Sequence, residues 1–63
     1  SNVYDSWFTL TGITKFENGY KAIINGEIVN EMNRVRGFLV RKITQNRVQL
    51  EKNDYHVTLK LKE

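Results

Sequence analysis

Sixty-three residues with a net charge of +3 and no cysteine make one domain at most, without a disulfide or a thiolate metal site. A core of this size rarely supplies more than about 3–5 kcal/mol, so the fold must rest on efficient apolar packing. No run approaches the roughly 18 apolar residues of a membrane-spanning helix, and no signal-peptide pattern is present.

Ser1-Asn2 resembles the remnant of a protease-trimmed tag. Residues 1–6 are therefore read as an extension ahead of a single small β-domain at 7–63, excerpted from a longer protein. From Trp7 to Thr14, Phe8 and Leu10 alternate, Gly12 interrupts, and Ile13 resumes on the other parity. That is the pattern of a bulged strand. Glu17-Asn18-Gly19 reads as a turn and Tyr20 to Ile24 as a strand. Asn25-Gly26 supplies the pair of positive φ angles that a type I′ hairpin requires, and Glu27-Ile28-Val29 returns.

Phe38 to Ile43 repeats the slip: Phe38 and Val40 share a parity that Ile43 breaks, so a second bulge is predicted near Arg41-Lys42. Val48-Gln49-Leu50 alternates, and Lys52-Asn53-Asp54 is a short hairpin loop. The last run places Tyr55, Val57, Leu59 and Leu61 on one face and His56, Thr58, Lys60 and Lys62 on the other, a half-buried strand. The sum is an all-β fold, a small, strongly bent antiparallel sheet of about six short strands forming an open barrel or sandwich. One segment reads two ways. Ile28, Met32, Val35 and Leu39 fall at helical spacing, with Asn30 placed as a cap and Gly37 as a stop, so a helical turn over Asn30–Arg34 is the alternative.

Little here points to catalysis. His56 is the only histidine and sits on the polar parity of the last strand, so a transition-metal site would rest on carboxylates alone. Ser6, His56 and Asp54 supply the letters of a triad without a nucleophile elbow or an enclosing pocket. Gly12, Gly19, Gly26 and Gly37 fall one per turn or bulge rather than in a phosphate-cradling loop. No enzyme activity, cofactor or metal is expected.

Charge is more informative. Arg34, Arg36, Arg41, Lys42 and Arg47 lie between Glu31 and Glu51 with no acid among them. Such a run is either a solvated face or a patch for an acidic protein surface, lipid head groups or nucleic acid. These five, with Trp7, are the candidate partner-binding residues, chosen on charge and size. Small barrels bind single strands by stacking bases on exposed rings, and Trp7, Phe8, Phe16, Tyr20, Phe38 and Tyr55 are available. The stretch Val35-Arg36-Gly37-Phe38-Leu39-Val40 resembles the core of the second Sm-protein motif, although further strands follow it and the first Sm motif is not found upstream. The competing reading makes these rings the core of a mini-domain.

A longer pattern runs from Leu10-Thr11-Gly12-Ile13 through Ala22-Ile23-Ile24-Asn25-Gly26-Glu27-Ile28-Val29. It continues with Val35, Gly37, Val40 and Ile43, then Val48-Gln49-Leu50 and Leu59-Lys60-Leu61. It resembles the small periplasmic β-domain of inner-membrane assembly proteins in type II secretion and type IV pilus systems. Relatives of that kind include the general-secretion-pathway B and C proteins, the pilus-assembly lipoprotein P and the mannose-sensitive-haemagglutinin pilus K protein. The chain departs from the family pattern at Met32, where a glycine is usual, and at Asn33, where an aspartate is. The resemblance implies a scaffold domain in the periplasm, carried by an inner-membrane-anchored parent. Its partner would be another apparatus protein of the secretin or pilus-lipoprotein class. Exposed strand edges offer the means, because a partner strand can add to them through main-chain hydrogen bonds.

Overall fold

A computed structural model describes residues 3–62. A short 3-10 helix, Val3–Trp7, precedes seven strands: β1 (Leu10–Phe16), β2 (Gly19–Ile24), β3 (Glu27–Val29), β4 (Arg34–Val35), β5 (Phe38–Ile43), β6 (Arg47–Lys52) and β7 (Tyr55–Lys60). They form two antiparallel sheets, β1-β2-β3 and β4-β5-β6-β7, in which each strand pairs only with its neighbours in the chain. The all-β reading holds, as an open two-sheet arrangement and not a closed barrel. The strand beyond the expected six is β4, whose two residues are too few to show alternation.

Turn chemistry sets the registers. Asn25 and Gly26 hold φ of 53° and 82°, the type I′ pair expected between β2 and β3. Arg36 and Gly37 hold 50° and 83°, which makes a second such turn between β4 and β5. Its sequence marker is weaker, since a non-glycine residue in the left-handed region costs roughly 1–2 kcal/mol.

The helical alternative over Asn30–Arg34 does not form. Asn33 N–H donates to the Asn30 carbonyl at 3.1 Å, and Met32 sits at φ 76°, as the third residue of a type II turn does. The Asn33 side chain accepts the Asn30 N–H at 2.9 Å, the kind of local bond with which asparagine competes against helix. This corner is tied to β5: Met32 N–H donates to the Val40 carbonyl and Val40 N–H to the Asn33 carbonyl, each at 2.8 Å.

Both expected bulges are present, between Leu10 and Gly12 and between Val40 and Lys42. At the second, Val40 opposes Leu50 and Lys42 opposes Gln49, leaving Arg41 as the extra residue. Arg41 and Lys42 are therefore both exposed before Ile43 turns inward again. The phase slip in the sequence is this bulge.

The core draws Ala22, Ile24 and Val29 from one sheet. Val35, Phe38, Val40, Ile43, Val48, Leu50, Val57 and Leu59 come from the other, and Phe8 closes it. Val57 and Leu59 are buried while His56, Thr58 and Lys60 are exposed, as the alternation requires; Leu61, just past β7, is half-buried. Phe38 is fully buried, worth about 1.5–3 kcal/mol. Around its ring sit Tyr4 and Phe8, each 5.3 Å away between centroids, and Trp7 at 6.2 Å. Tyr4 thus belongs to the packed unit, which reaches further toward the N-terminus than residue 7. Ser1-Asn2 lie outside the described residues.

Candidate functional site

The outer face of the four-stranded sheet carries five of the ten basic side chains. Val35 points inward, so Arg34 points out. The bulge sends out Arg41 and Lys42, and alternation along β6 and β7 sends out Arg47 and Lys60. Lys42, Gln49 and Thr58 form one cross-strand row, and Arg47 and Lys60 another.

The two acids that bracket the basic segment fold back onto it. Arg41 bonds Glu51 at 2.6 Å. The hydrogen bond from Arg41 holds the Glu51 carboxyl below its usual range, helped by the charges of Arg41 and His56, and the same bond raises Arg41. Lys42 lies 4.0 Å from Glu31, whose carboxylate also accepts the Ile43 N–H at 2.9 Å, where β4 is too short to pair. The positive charge on this face is therefore partly neutralised at the bulge. It is not neutralised at the Arg47–Lys60 row, where two like charges face one another and neither has an ion-pair partner among the described residues.

Trp7 and Arg36 have a different setting. The Arg36 guanidinium stacks over the Trp7 ring at 4.4 Å, and its Nη1 donates to the Trp7 carbonyl at 3.4 Å. That carbonyl also accepts Asn25 Nδ2–H at 3.1 Å, while Asn25 Oδ1 accepts the Thr9 N–H at 2.8 Å. The tips of the β2–β3 and β4–β5 hairpins are thereby tied to the N-terminal helix. Arg34 reaches back to the Gly37 carbonyl at 3.1 Å. Of the six candidate residues, the fold gathers Arg34, Arg41, Lys42 and Arg47 on one face and places Trp7 and Arg36 together in this clamp. It adds Lys60, which lies outside the basic run in sequence and meets Arg47 only through the β6–β7 pairing.

The rings do not form a stacking row. Phe8 and Phe38 are buried, and Trp7 and Tyr20 are half-buried against the core. Phe16 (45% exposed) and Tyr55 (50%) remain, on different sheets. Phe16 has the Lys21 ammonium 5.4 Å from its centroid, and Tyr55 packs against Tyr4 at 4.9 Å.

Two of the open grooves formed by the described residues flank the sheets. One is lined by Asn18–Lys21, Asn30, Glu31 and residues 42–45 and is crossed by a hydrogen bond from Lys21 to the Asn30 side chain. The other runs between Phe8, Thr9, Leu10 and Thr11 on one side and Leu59, Lys60, Leu61 and Lys62 on the other. It separates the outermost strands, β1 and β7, each of which has a strand on one side only. Comparison with family models, with curated proteins and with solved structures gives no match to the chain.

Proposed function

We propose that this chain is a non-catalytic protein-binding domain that holds its partner by strand-edge pairing beside a basic face. The observation that carries the reading is the pair of long edge strands, β1 and β7, next to the Arg47–Lys60 row, which has no ion pair among the described residues. Unpaired edges template another strand; β1 runs for seven residues and β7 for six, the start of β7 lying against the N-terminal helix and its end uncovered. Like charges directly opposite one another destabilise a sheet, so the row costs stability in the free domain and suits an acidic partner.

The resemblance to secretion and pilus assembly domains supplies the partner class: a secretin or pilus lipoprotein, met in the periplasm by a parent anchored in the inner membrane. Two turn positions support it. The family pattern has glycine at the positions of Met32 and Gly37, and both hold positive φ, 76° and 83°. Calorimetric titration of the domain with purified periplasmic segments of such proteins tests the assignment. Saturable one-to-one binding is expected, and absence of binding to either class would contradict it.

Nucleic-acid binding is the second reading, favoured by the shared face of Arg34, Arg41, Lys42, Arg47 and Lys60. Against it, the rings that would stack on bases are largely turned into the core, leaving nonspecific phosphate attraction that salt screens.

A further inference from the structure

The groove between the start of β1 and the end of β7 has features that specify an occupant. On the other side of the molecule the sheets are joined through the corner at residues 30–33, whose main-chain bonds reach β5. On this side β1 and β7 do not pair with one another, and an open groove lies between them.

Pairing along β7 can be followed bond by bond. Leu61 N–H donates to the Asn46 carbonyl at 2.9 Å, one step beyond the Arg47–Lys60 pair. Because the hydrogen-bonded direction alternates along an antiparallel strand, Leu61, Leu59 and Val57 turn their main-chain groups toward β6. Thr58 and Lys60 turn theirs to the empty side. The N-terminal helix covers the beginning of β7, with Tyr4 against Tyr55, so the uncovered length is its end.

A strand added there meets two different surfaces. Side chains of directly paired residues lie on the same face of a sheet. A guest residue opposite Lys60 therefore projects beside Lys60 and Arg47, where an acid gains and a base is repelled. Its neighbours along the guest strand project the other way, over Leu59, Leu61, Leu10 and Phe8. Leu10 and Leu61 are only half-buried, and apolar guest side chains would complete their burial.

We infer that the β1–β7 groove takes an extended partner segment in which acidic and apolar residues alternate, hydrogen-bonded to the free edge of β7 at Thr58 and Lys60. The inference rests on the protein-binding reading and gives it a site and a sequence rule. A second copy of this chain is a poor occupant: its β1 carries Lys15 and no acid, and its β7 brings Lys60 again.

The test uses peptides of about six residues, an ordinary strand length. One alternates valine and glutamate and one valine and lysine. A third repeats the first with N-methyl groups on the alternate amides that would face β7. Binding is followed by amide-resolved NMR of the whole domain. The acidic peptide should bind at least about tenfold tighter than the basic one, shift resonances at Thr9–Thr11 and Thr58–Lys62, and lose binding on N-methylation or in the Lys60→Glu variant. Lys60 is exposed and makes no ion pair among the described residues, so that variant should stay folded, which its own spectrum verifies. Shifts confined to Arg34, Arg41 and Lys42, or indifference to N-methylation, would overturn the groove assignment while leaving a protein-binding domain. So would failure of the acidic peptide beside successful binding of an apparatus protein. Groove shifts that grow with domain concentration alone would overturn it in favour of self-association. Tight oligonucleotide binding would remove the protein-binding reading itself.

Discussion

Arg47 and Lys60 stand directly opposite one another on β6 and β7, both exposed, and neither meets an acid among the described residues. Replacing one of them by an acid turns repulsion into attraction. Lys60→Glu should raise stability by about 0.2–1 kcal/mol, a rise in Tm of roughly 1–8 °C for a domain of this size. The same change should abolish acidic-peptide binding. A calorimetric scan in low salt checks the first half, and a lower Tm would mean the row is already compensated.

The β2–β3 turn gives a second expectation. Gly26 sits at φ 82°, and a Cβ built there would meet nothing within 4 Å, so any loss on substitution comes from the backbone. Gly26→Val should cost at least about 1 kcal/mol, read as an earlier urea midpoint with unchanged slope. An unchanged midpoint would be inconsistent with a type I′ turn.

Register along β7 is tested by adjacent residues. Leu59 is 8% exposed and Thr58 lies on the solvent side. Leu59→Ala should cost about 2–5 kcal/mol, close to the whole stability available to such a core, whereas Thr58→Ala should be nearly neutral. Equal losses would place the register one residue away.

Acid should weaken the fold through Glu51. Its carboxyl is held below the usual range, chiefly by the hydrogen bond from Arg41. The unfolded chain therefore takes up the proton first as pH falls, and the pair's contribution is complete above the ordinary glutamate range near pH ~4.3. It is lost as pH drops through the lower folded-state value. Urea midpoints between pH 2 and 5 should decline more steeply in the parent than in Glu51→Gln, and parallel curves would show that the pair does not contribute.

Most of the fold was legible because its signals are local. Asn25-Gly26 marked a turn by its own φ preference, and the parity slips at Gly12 and Arg41-Lys42 marked bulges. The alternation from Tyr55 marked β7. What escaped were features set by pairing. Arg34–Val35 forms a strand only because Arg36-Gly37 folds it onto β5. Asn30–Arg34 carries apolar spacing that suits a helix, yet Met32 and Asn33 close a turn there. The basic run looked free of acids along the chain, whereas Glu31 and Glu51 fold onto it across strands. Lys60 was hidden by one residue of loop length. Reading Lys52-Asn53-Asp54 as the loop sets Arg47 opposite Leu59, while pairing Lys52 with Tyr55 sets it opposite Lys60. Trp7 and Arg36 read as contact residues by size and charge, and nothing local shows that they stack on each other.

The most direct measurement is a titration of the domain with a single-stranded oligonucleotide at about 0.15 M salt, in parallel with an apparatus-protein segment. Protein binding should be saturable. The oligonucleotide should bind no tighter than the ~10⁻⁴–10⁻⁶ M typical of nonspecific phosphate contact. Sub-micromolar oligonucleotide binding, lost when Arg34 and Arg47 are both replaced by alanine, would contradict the account.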